Sequence, residues 1–87
     1  MSKPSFADLK GEFDEACALL RSFTLGQRGF TRQDGVAAVK RVSGLCDRLK
    51  ELFASGPHAN EVVSVVASGR GRIAAAKARL AVLRDMS

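Results

Sequence analysis

From Val62 to Leu83 an apolar or small residue recurs at alternating steps of four and three: Val62, Val66, Gly69, Ile73, Ala76, Leu80 and Leu83. This is the heptad seam of a helix that lies along another helix. With Val66, Ile73 and Leu80 at the a positions and Gly69, Ala76 and Leu83 at d, one flank of the seam carries Arg70, Lys77 and Arg84, and the other carries Arg72 and Arg79. Like charge on both flanks repels a parallel copy of the same helix. The pattern therefore asks for an acidic neighbour, either protein or phosphate.

Two further helical blocks precede the seam, and no strand alternation runs longer than a few residues. In the first, Phe6, Leu9, Phe13, Ala16, Leu20 and Phe23 fall at steps of three and four, and Ser5 with Asp8 has capping-box spacing. The block should stop by Gly26. Thr31 and Asp34 repeat the capping box and open the second block, whose seam is Ala38, Val42, Leu45, Leu49 and Leu52. Val39, Cys46 and Phe53 widen that seam beyond what one helix covers, so the second helix is expected to be the hub. Gly56, suited to a left-handed C-terminal position, and Pro57 end it. Asn60 or Pro57 should then open the third block.

The expected fold is all-α, a small three-helix domain over 1–87 with helices at about 5–24, 32–54 and 59–85. It is a helical hairpin plus a third helix whose continuity is open. Gly69 and Gly71 each cost about 1 kcal/mol against alanine in a helix interior. Either the helix breaks at 68–71 into a mobile Gly-Arg turn, or it runs unbroken and its small residues admit a close backbone. A chain of this length buries only about 60% of the surface it exposes unfolded, and a broken third helix would leave seam uncovered, so a dimer is expected.

At 87 residues, with 46% apolar residues, a net charge of +5 and a pI near 9.9, the chain reads as one basic globular domain. It has no signal-peptide-like apolar run and nothing near the roughly 20 apolar residues of a membrane span. A cytoplasmic protein is expected, with the nucleus as the alternative. Cys17 and Cys46 lie inside helical patterns and read as reduced, buried thiols.

Catalytic and metal signatures are missing. His58 is the single histidine and sits beside Pro57, with neither cysteine near it in sequence. One histidine and two cysteines fall short of the four ligands of a structural zinc site and have no ligand-pair spacing. Gly69-Arg70-Gly71-Arg72 is not a Walker loop, which needs a longer glycine-lysine spacing after a strand. No enzyme activity, metal or cofactor is expected.

The charge pattern leaves two binding readings. In the first, Arg70, Arg72, Lys77, Arg79 and Arg84 contact phosphates along about 21 Å of helix, with Arg41 and Arg48 on the second helix as a secondary patch. The five phenylalanines mostly occupy seam positions, which leaves no obvious platform for stacking single-stranded bases, so a duplex is favoured, double-stranded RNA ahead of DNA. In the second, an acidic amphipathic helix packs on Val62, Val66, Ile73, Ala76, Leu80 and Leu83, and the protein is a small chaperone or adaptor. In the layout of a short helix, a long second helix and a further helical segment, with the apolar pattern from Pro57 to Ser68, the chain resembles the small helical RNA-silencing suppressors of nodavirus type. That resemblance implies a viral duplex-RNA binder acting as a dimer, and it carries over no functional residue.

Overall fold

Ser5 and Thr31 fix where the first two helices start. The computed structural model describes residues 5–86, with side chains described as far as Leu83. α1 spans Phe6–Thr24, α2 Arg32–Phe53 and α3 Ala59–Met86. Both expected capping boxes form. Ser5 Oγ accepts from the Asp8 N–H at 3.1 Å, and the Asp8 carboxylate accepts from the Ser5 N–H at 3.4 Å. Thr31 and Asp34 repeat the exchange at 3.2 and 2.8 Å. Each box satisfies helix-end N–H groups that would otherwise have no partner.

Gly26 ends α1 as expected. It takes φ +76° while its N–H and that of Leu25 close back on the carbonyls of Phe23 and Arg21 at 3.0 and 2.9 Å. Gly56 adopts φ +104° at the second reversal. α3 starts between the two residues expected to open it. Ala59 is its first residue, and the His58 carbonyl accepts from Val62 N–H at 2.9 Å.

The two short connections, 25–31 and 54–58, reverse the chain twice, so α1 and α3 run the same way with α2 opposed. One end of the bundle is closed by aromatic rings. Phe6 stacks on His58 at 4.3 Å, and Phe53 meets Phe6 edge-on at 5.5 Å. Between the ends, the seams of α1 and α2 supply Leu9, Phe13, Ala16, Leu20, Phe23, Val42, Leu45 and Leu49, all buried. α2 packs against both other helices and is the hub.

α3 is continuous through Gly69 and Gly71. The reason lies in packing. A Cβ added to Gly69 would stand 2.8 Å from Cys46 Sγ and 2.9 Å from the Phe13 ring, so this glycine is where α1 and α2 close on α3. Burial there offsets its helix-propensity cost. Gly71 faces open space. At 28 residues, α3 is about 42 Å long and runs nearly the full 46 Å of the molecule. An unbroken α3 covers the seams of α1 and α2 within the chain.

Candidate nucleic-acid interface

The heptad seam of α3 faces the chain's own core. Val62, Val66, Gly69 and Ala76 are buried, Val65 joins them from the side, and Ile73, Leu80 and Leu83 are half-buried against the same cluster. The surface expected to seat a partner helix is thus occupied by α1 and α2.

The cations beside that seam are separated by the bundle. Successive helical residues turn about 100°, so Arg70 and Arg72 stand roughly 160° apart on α3. Arg72 borders α1 and lines a groove between α1 and α3. Arg70 borders α2, where its charge acts on Cys46. Lys77, two turns beyond Arg70, shares that edge. Arg70 and Lys77 therefore share one edge of α3 and Arg72 stands on the other, so these cations do not form one row.

Arg79 departs from the expectation. It is half-buried, its guanidinium lies where a Cβ on Gly26 would be 3.3 Å from Nη2, and its Nε finds no acceptor among the described residues. It closes the end of α1, where a positive charge suits the helix dipole. The Arg84 side chain lies outside the described residues. Arg41 and Arg48 are exposed, but Arg41 lies beside Leu19 and Ser22 of α1, so this pair occupies a third edge, between α1 and α2.

Between its two basic edges α3 presents an uncharged outer face. Val63, Ala67, Gly71, Ala74 and Ala78 are all exposed there. Val63 is 70% exposed and Val82 48%, which marks an apolar surface left uncovered. Among the described residues the close charge contacts are Lys10–Asp14, at 2.7 Å, and His58–Glu61, at 3.8 Å. Neither involves Arg41, Arg48, Arg70, Arg72, Lys77 or Arg79.

The α1–α3 groove holds residues that were not expected to matter. It encloses about 700 Å³ and brings Lys10 and Arg21 of α1 opposite Ser64, Ser68 and Arg72 of α3. A signal for it existed in the sequence: Ser64, Ser68 and Arg72 follow at steps of four, a polar stripe beside the seam. Cys17 lies in the groove floor. Burial raises its thiol pKa, and the Arg72 charge pulls it partly back. Burial also raises Cys46, with Asp47 adding to the shift and Arg70 and Lys50 opposing it.

Comparison of the chain with protein-family models, characterised proteins and solved structures found no match, so the resemblance in helix layout gains no support from them. Among the described residues no three of His, Cys, Asp and Glu cluster as metal ligands, and no helix is long and apolar enough to cross a membrane.

Proposed function

We propose that this protein binds duplex nucleic acid, double-stranded RNA foremost, by laying the outer face of α3 in a groove. One observation carries the reading: an exposed, uncharged face from Val63 to Ala78 is bordered on both edges by exposed cations that have no acidic partner among the described residues. A helix is about 10–12 Å across with its side chains, so cations on both edges can reach the phosphates on either side of a groove. The small side chains between them offer shape and no base-reading fork, so binding should be independent of sequence. The wide, shallow minor groove of A-form RNA suits such a smooth surface.

A gel-shift series with duplex RNA, duplex DNA and single strands over a range of salt tests this. If Arg70, Arg72 and Lys77 each neutralise one phosphate, log affinity for a B-form duplex should fall against log salt with a slope of roughly −2.7. Replacing Arg70 and Lys77 together by glutamine should weaken every duplex alike. A parent protein that binds no duplex at low salt, or a double variant that binds as the parent does, would end this reading.

Exposed Val63 and Val82 favour a second reading, an acidic amphipathic helix packed on the same outer face, since small residues admit a close backbone. Apolar burial would hold that complex at salt concentrations that release a phosphate-bound duplex.

A further inference from the structure

The α1–α3 groove has a charge chemistry of its own. Lys10 Nζ reaches both carboxylate oxygens of Asp14, at 2.7 and 3.0 Å, so these two neutralise each other. Arg21, on the α1 wall, and Arg72, on the α3 wall, remain as exposed charges with no ion-pair partner among the described residues. A guanidinium is a planar fork that matches two oxygens of a phosphate, and two forks from different helices can hold one group from two directions. Hydroxyl donors stand beside each fork. Ser22 follows Arg21 on one wall, and Ser68 lies one turn before Arg72 on the other. Gln27 adds an amide where the chain leaves α1.

The floor of the groove is formed by buried Phe13, Cys17 and Val65. Charge-assisted hydrogen bonds made over such a floor are less screened than those on an open helix surface. The volume, near 700 Å³, falls within the roughly 300–1,000 Å³ of small-ligand sites and exceeds what one phosphate needs. It has room for an attached sugar.

We infer that the α1–α3 groove is a phosphate-binding seat, gripped by Arg21 and Arg72 from opposite walls and completed by Ser22, Ser68 and Gln27. The phosphate belongs either to a nucleic-acid backbone or to a free nucleotide. Only the first case rests on the duplex reading above, and there Arg72 serves both the groove and the edge of α3.

Amide NMR titrations of the whole chain with inorganic phosphate, adenosine monophosphate and duplex RNA, each against chloride at matched ionic strength, test the inference. Phosphate and the mononucleotide should shift Arg21, Ser22, Gln27, Ser68 and Arg72 saturably. Arg21→Gln and Arg72→Gln should each weaken that binding about tenfold, the worth of one charge-assisted hydrogen bond. Lys40→Gln, which removes the same charge from an exposed position of α2 outside the groove, should leave it unchanged. Arg21→Lys keeps the charge without the fork and should also weaken binding, which covers the case in which glutamine disturbs the fold.

Shifts that never saturate, shifts spread equally to Lys40 and Arg48, or an Arg21→Gln protein that binds as tightly as the parent would overturn the seat. Duplex RNA that competes with phosphate assigns the seat to the nucleic-acid backbone. Saturable phosphate binding in a protein that ignores duplex assigns it to free nucleotides, and the duplex reading then fails alone. Duplex binding on the outer face of α3, with the groove unmoved by phosphate, sinks the seat and leaves the duplex reading standing.

Discussion

Gly69 lies so close to Cys46 that a Cβ added to it would stand 2.8 Å from the cysteine sulfur. Gly71, two residues further along, meets nothing within 4 Å. The two glycines of one Gly-Arg-Gly-Arg stretch therefore have opposite consequences. Gly69→Ala must push apart Cys46 and Phe13, both buried, and should cost about 1–3 kcal/mol as overpacking does. Gly71→Ala removes a helix-interior glycine without a clash and should stabilise by about 0.5–1 kcal/mol. Urea denaturation of the two variants decides it. Equal shifts of the midpoint would mean that α3 does not pack through Gly69.

Helix ends were legible in the sequence because they are local. Ser5 with Asp8, Thr31 with Asp34, Gly26 and Gly56 each act within a few residues of themselves. The continuity of α3 was not legible, because it depends on Phe13 and Cys46, far away in the chain. The same limit governs the cations. A heptad shows that Arg70 and Arg72 flank one seam, but only the placement of α1 and α2 sends them to different edges. Arg21 escaped notice for a related reason: it belongs to no motif and becomes a candidate only opposite Arg72.

Core burial separates two leucines of similar appearance. Leu49 is fully buried in the last turns of α2, whereas Leu19 is 46% exposed on α1. Leu49→Ala should cost about 2–5 kcal/mol and Leu19→Ala no more than about 0.5 kcal/mol, the range of surface substitutions. Thermal melts followed by circular dichroism would show a large fall in Tm for the first only. A comparable fall for Leu19→Ala would indicate that its face of α1 is covered in solution.

The turn after α1 couples backbone to charge. Gly26 holds φ +76° beneath the Arg79 guanidinium, so alanine there meets both a left-handed backbone and a crowded neighbour. Gly26→Ala should cost about 1–2 kcal/mol from the backbone alone. Arg79→Gln should change the melting temperature while leaving duplex affinity nearly as it was, because this arginine is spent on the end of α1. The reverse pattern, an unchanged melt with a lost duplex, would return Arg79 to the phosphate contacts.

Cys17 and Cys46 predict the alkaline limit of stability. Burial is the main cause that raises both thiols above their ordinary value of 9.0, so each holds its proton more tightly folded than unfolded. The stability this contributes is fully present below the unfolded value and is lost as pH rises through the raised folded ones. The parent should therefore keep a level denaturation midpoint up to about pH 9 from these two groups and lose stability above it. A double variant, Cys17→Ala with Cys46→Ala, removes the titration while lysines and the other alkaline groups stay common to both proteins. The difference in midpoint between parent and variant should be constant at neutral pH and should move against the parent above pH 9. A difference that stays constant across the whole alkaline range would mean that the two thiols ionise as readily in the folded protein as in the unfolded chain.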